Sequence, residues 1–152
     1  MKRKYTKYMF RFLIFFFILP LILVHCDNFS KQKKPNIVFI SLETLRADHL
    51  EVYGYARWTA PTLARLASKG IVYSYALSQA PWTLPSVTTM HTGLYPSEHG
   101  ATGAETKIHD NIVTLAEVLK QEGYYTIGIA SHVFVDKKHG LAQGFDVFDE
   151  SQ

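Results

Sequence analysis

With 152 residues, 47% of them apolar, the chain can build the core of one compact domain but not of two ordinary ones. Residues 1–35 hold eight of the sixteen Lys and Arg and one acid, Asp27, which leaves eight basic and twelve acidic residues, net −4, in the remainder of a chain that is +3 overall. The basic balance therefore belongs to the N-terminus and argues against nucleic acid as a partner. A single cysteine, Cys26, excludes an internal disulfide.

The N-terminus reads MKRKYTKYMFRFLIFFFILPLILVHC, a basic head and then an uncharged apolar run from Phe12 to Val24. That run suits a signal-peptide core better than a membrane span of roughly 20 residues, and export is the expectation. Cys26 closes Leu-Val-His-Cys, which resembles a lipoprotein lipobox except that His25 stands where a small residue belongs. Two readings stay open for residues 1–26: a cleaved signal with Cys26 lipidated, or an uncleaved anchor. Both place the body outside the cytoplasmic membrane and tethered to it. Residues 27–35, polar and lysine-rich, read as a linker.

From Asn36 the periodicity alternates between strand and helix. NIVFISL, residues 36–42, is a short β-branched run that predicts a strand buried on both faces. Residues 59–70 predict a helix, with Leu63, Leu66 and Ala67 at helical spacing, Pro61 near the start and Gly70 at the end. IVYSYAL, residues 71–77, predicts a second strand, and residues 83–92 a short helix. NIVTLAEVLKQEG predicts another helix, with Leu115, Val118 and Leu119 on one face and Gly123 as its stop. YYTIGIAS, residues 124–131, predicts a third strand. This alternation predicts an α/β domain over residues 36–152 with a mostly parallel sheet and helices on both faces. Tyr53, Tyr55, Tyr73 and Tyr75 read as packing residues.

In such sheets reactive groups stand at the carboxyl ends of strands, which singles out Glu43, directly after NIVFISL. Alone, it reads equally as a surface residue beginning a turn. Thr83 opens a helix with Leu84, Pro85 and Ser86 behind it, and on local grounds could be only a helix cap.

PNIVFISLETLRADHLEVYGY, TAPTLARLASKGIVYSYALSQAPWTLPS, TGLYPSEHG, TLAEVLKQEGYYT and QGFDVFD follow one another in the order and spacing of the amino-terminal part of the sulfatase family, within the alkaline phosphatase superfamily. The resemblance covers roughly residues 35–149. It implies an alkaline phosphatase-like fold, a divalent metal ion (calcium, magnesium, manganese and zinc are not distinguished), and a sulfate or phosphate ester as substrate, small or linked to a glycan or lipid. Glu43 matches the position of a metal-ligating Asp, and the second Asp of many sulfatases is here Thr44. Thr83 matches the nucleophile, which in sulfatases is a Cys or Ser oxidised to formylglycine; threonine does not undergo that step, and the usual guiding arginine is Val87. The Glu and Thr pairing is similar to lipoteichoic acid synthases and phosphoethanolamine transferases, so Thr83 is expected to act as a plain alkoxide, and phosphoryl transfer is the alternative chemistry. Arg46 and Asp48 are expected to stabilise their loop. His132 lies near the family's Lys-x-His pair, whose own positions here are Ser131 and Val133, and is a candidate substrate contact. Family enzymes carry a later Asp with His or Asn that completes the metal site, so the expectation is a truncated form with little activity alone; a noncatalytic remnant is the remaining alternative.

Overall fold

The computed structural model describes residues 33–151. The chain divides into two compact units, Met1–Ser41 and Leu42–Gln152. The apolar run, Cys26 and most of the linker lie outside the described residues, among which no helix is long and apolar enough to cross a membrane.

In the first unit, residues 36–41 form no regular structure, and Ile37, Val38, Phe39 and Ile40 are exposed by 55, 80, 55 and 72%. The strand expected there, buried on both faces, is not formed. Residues 71–77 of the second unit depart from expectation in the same way: they are unpaired, and Tyr73 and Tyr75 are open to solvent rather than packed. Both runs have the composition of strands, but a strand exists only where a neighbour completes its ladder of hydrogen bonds, and the sheet among the described residues contains neither run.

The second unit begins with two 3-10 turns, Ala47–His49 and Glu51–Tyr53. Helix α1 follows, Pro61–Ala67, within the predicted span. Its start is held from a distance, since both carboxylate oxygens of Glu51 accept the Ala60 N–H, at 2.9 and 3.0 Å. A negative charge there also suits the helix dipole. Helix α2, Thr83–Thr92, is rich in β-branched residues and owes its stability to packing. It buries Leu84, Pro85, Val87 and Thr88, and Gly93 closes it in the left-handed region at φ 70°. Leu84 and Val87 join Ala101, Ile108, Ile112 and Leu141 in the core of this unit, with Trp82, Leu94, Phe134 and Val135 packed at its edge.

Helix α3, Pro96–His99, is a single turn that ends in fully buried His99. Helix α4, Leu115–Gln121, starts at a reciprocal cap in which Glu117 N–H donates to Thr114 Oγ1 and Thr114 N–H to Glu117 Oε2. Its buried residue is Ala116, while Leu115 and Val118 are 41 and 46% exposed, so the apolar face expected to lie inward is mostly uncovered.

Strands β1, Ile127–Ile129, and β2, Val147–Asp149, pair in parallel, with Gly128 opposite Phe148. The Gln143–Asp146 stretch locks this pair to α4. Gln143 Nε2 donates to Ile112 O and Glu117 Oε2, and Asp146 accepts from Thr126 N–H, Thr126 Oγ1 and Lys120 Nζ. Hydrogen bonding from Lys120 and Thr126 holds the Asp146 carboxyl down at about 2. The chain is thus α/β with parallel strands, as its sequence predicts, although the sheet it forms is narrower than the three predicted strands imply.

Candidate functional site

Glu43 and Thr83 stand forty positions apart and meet in space: the Thr83 hydroxyl donates to Glu43 Oε1 at 3.0 Å. The carboxylate is exposed and the threonine half-buried, so the pair is accessible from solvent. Thr83 does not cap its helix. The cap position is Trp82, in extended conformation at φ −149° and ψ 167° with no side-chain capping bond, and Thr83 is the first helical residue. Its hydroxyl is spent on Glu43 instead of on a first-turn N–H.

Each partner is positioned by its neighbours. Behind Thr83 the helix is anchored by buried Leu84 and Val87, and Ser86 Oγ lies 2.7 Å from Ser78 Oγ, which ties the preceding loop down. Behind Glu43, Thr44 adopts φ 54°, the only non-glycine residue with positive φ among those described. A β-branched residue pays roughly 1–3 kcal/mol for that conformation. The turn it makes sets the direction in which Glu43 leaves the backbone.

Arg46, Asp48, His132 and the buried His99 fall outside this pair. Arg46 and Asp48 form an exposed ion pair, and hydrogen bonding from the Arg46 guanidinium holds the Asp48 carboxyl below its ordinary range. His99 is structural: its Nδ1 accepts Ala101 N–H, its Nε2 faces Thr89 Oγ1 at 3.2 Å, and burial pushes its pKa down. His132 is half-buried; its Nδ1 accepts the Phe134 N–H at 3.2 Å, and it makes no hydrogen bond to Glu43 or Thr83.

An aromatic chain that the sequence reading missed runs beside the site. Trp82 meets Phe134 edge-on at 5.3 Å between ring centroids, and Phe134 in turn lies 5.7 Å from His132 and 5.7 Å from His139. His139 is itself fixed by Asp136 Oδ1 at 2.6 Å and Ala104 O at 2.9 Å. No periodicity or spacing in the sequence signals the Trp82–Phe134 contact.

The donor set of Glu43 and Thr83 is carboxylate and hydroxyl oxygen, which suits a hard divalent cation. Two protein oxygens are fewer than such an ion takes, and among the described residues no group of three or more His, Cys, Asp or Glu gathers to hold one.

The described residues form an α/β fold with a parallel strand pair, in which a hydroxyl at a helix start faces a carboxylate. A phosphonate monoester hydrolase of Agrobacterium radiobacter shares it, with a TM-score of 0.68 over 78% of this chain and 26% of that one, at 20% identity. The sulfatase family model matches residues 35–152, and the chain belongs to the sulfatase family. An N-acetylgalactosamine-6-O-sulfatase of Bacteroides thetaiotaomicron is 33% identical over 68% of this chain. A sulfatase of Formosa agariphila is 29% identical over 91% of it. The chain spans 21% and 32% of the lengths of these two relatives.

Proposed function

We propose that this chain carries the nucleophile half of an exported, metal-dependent hydrolase of sulfate or phosphate esters, with Thr83 as nucleophile and Glu43 as its partner. The observation that carries this reading is the direction of the Thr83 hydroxyl. A threonine serving only to start a helix would accept a first-turn N–H from the cap position, whereas this one is the first helical residue and donates to a carboxylate forty positions away.

The chemistry follows from the placement. Thr83 Oγ1 forms a bond to the sulfur or phosphorus of the ester as the bond to the leaving oxygen breaks. The departing hydroxyl proton has Glu43 Oε1 as its acceptor at 3.0 Å. The start of α2, free of any side-chain cap, offers backbone N–H groups and the positive end of the helix dipole to the anionic group under attack. Pro85 supplies no N–H there, which narrows the donors to neighbouring positions. A divalent cation held by Glu43 and Thr83 together with further oxygen ligands would, when bound, lower the pKa of the hydroxyl. Water then releases the product.

A transferase is the second reading, favoured by threonine at the nucleophile position and glutamate at the metal position; there an alcohol acceptor replaces water in the release step. Neither reading uses formylglycine. The basic, apolar N-terminus supports an exported and membrane-tethered placement.

The test is incubation with a 4-nitrophenyl sulfate and a bis(4-nitrophenyl) phosphate in the presence of manganese, followed by peptide mapping. A sulfo or phospho ester is expected to accumulate slowly on Thr83, because the described residues supply only part of the cation's ligands, and to be absent in Thr83→Ala. An unmodified Thr83 with both esters, or modification that survives Thr83→Ala, would sink the proposal.

A further inference from the structure

We propose that His139 is a buried imidazolium, and that its second proton closes a pH-sensitive latch between the turn 136–141 and the segment 104–108.

The turn 136–141 lies in the crossover from β1 to β2 and meets the 104–108 segment in the core. Ile108 N–H donates to His139 O and Leu141 N–H to Asp136 O, and Ile108 and Leu141 are both buried. Gly140, at φ 85°, brings the turn so close that a Cβ there would lie 3.4 Å from Ile108 Cβ. His139, only 2% exposed, stands between the two stretches. Its Nδ1 is 2.6 Å from Asp136 Oδ1 and its Nε2 is 2.9 Å from Ala104 O.

Both of those partners are acceptors. A carbonyl oxygen has no proton to give, and neither has an ionised carboxylate. Asp136 Oδ1 also accepts the His139 backbone N–H at 2.9 Å, a role that suits the ionised form. A neutral imidazole carries one N–H, so it can serve only one of the two oxygens and would turn a lone pair on the other. With both nitrogens protonated each contact becomes a charge-assisted hydrogen bond, and Asp136 is the counter-ion that a buried cation requires. The remaining charges that face the ring offset each other: Lys138 on the same turn pairs with Glu105 on the opposite segment at 2.8 Å, while Phe134 packs edge-on at 5.7 Å and brings no charge. Imidazole is the side chain that changes charge between about pH 5 and 8. On the alkaline side of that change the ring must release Ala104 O or Asp136 Oδ1, which unfastens the 104–108 segment from the crossover. On the acid side the latch is shut.

The test is long-range proton–nitrogen correlation on the full chain, labelled with nitrogen-15 and carbon-13, from about pH 6 to about pH 9. Near the acid end His139 is expected to carry protons on both ring nitrogens, with His99, whose Nδ1 accepts the Ala101 N–H, as the one-proton reference. As the second proton leaves, the Ala104 carbonyl carbon and the Ile108 N–H should shift with the same midpoint as the ring. Exchange protection of the Ile108 and Leu141 amides, corrected for the intrinsic effect of pH, should drop about tenfold, the scale of one charge-assisted hydrogen bond. A one-proton ring at the acid end, or a ring that titrates while Ala104 and Ile108 stay still, would overturn the proposal. His139→Gln should melt cooperatively and lose the pH response at Ala104 and Ile108; a response that persists belongs to another group, and the latch fails. Should that variant not fold, Asp136→Asn decides together with the wild-type titration: without its counter-ion the ring should show one proton at the acid end, and two protons there would show that Asp136 does not hold the charge, which also defeats the proposal.

Discussion

Helix α2 and the run 71–77 make opposite use of their residues. The run is the more apolar of the two, yet Ile71, Tyr73 and Tyr75 are exposed by 84, 70 and 88%. Helix α2 carries four threonines, a serine and a histidine in ten residues, and still buries Leu84 and Thr88 completely. Local hydrophobicity therefore does not decide burial here. What separates the two is the presence of partners: α2 has Ala101, Ile108, Ile112 and Leu141 to close on, and the run has no ladder to join. Thr83 is on the closed side of that divide, as a side chain held for chemistry requires.

The contrast breaks most visibly under truncation. Leu84→Ala should cost about 3 kcal/mol, since a fully buried leucine leaves a cavity, while Tyr75→Ala should leave the melting temperature nearly unchanged. Equal losses in thermal denaturation would show that the run is packed after all. Gly144→Ala comes next. Gly144 sits at φ 86°, and a Cβ there would fall 2.5 Å from Glu117 N, in the cap of α4. Both strain and clash predict a loss above ~1 kcal/mol, visible as a lower denaturant midpoint.

Acid should loosen the α2 side of the core and the β1–β2 side at different pH. His91 and His99 have pKa values lowered by burial. The unfolded chain then binds protons first, so stability should fall as pH drops below about 6.5. Asp146, held down to about 2, contributes stability that is complete above the ordinary carboxylate range and is lost as pH falls from about 4 through 2. Asp146→Asn should flatten only that lower limb of a stability-against-pH curve. The smallest effect sharpens the comparison inside α2 itself. Thr88 Oγ1 is buried with no hydrogen-bond partner among the described residues, so Thr88→Val should be neutral or stabilising by up to about 1 kcal/mol in chemical denaturation.

Much of this organisation was legible in the sequence. Pro61 and Gly70 bracket α1, the spacing of Leu115, Val118 and Leu119 with Gly123 as stop marks α4, and the motif order gives the family. Glu43 and Thr83 were readable as candidates because their separation matches a known pairing, and the structure brings them to 3.0 Å. The misses have physical causes. Residues 36–42 and 71–77 were read as strands from side-chain pattern alone, but pairing is a non-local property that no pattern contains. The outward turn of Leu115 and Val118 was missed because apolar spacing names a face without saying what it meets. Thr44 at φ 54° leaves no trace in sequence, since threonine is a residue that would ordinarily avoid it. The Trp82–Phe134 contact joins residues about fifty positions apart, and only folding shows it.

The central claim, that Glu43 and Thr83 form one half of a cation-binding nucleophilic site, is tested most directly by titrating the labelled chain with manganese. Paramagnetic broadening should centre on Glu43 and Thr83, and Glu43→Gln should abolish it while leaving the melting transition in place. Broadening centred elsewhere, or unchanged in Glu43→Gln, would contradict the claim and leave the bond between the two side chains as a fastening of the helix alone.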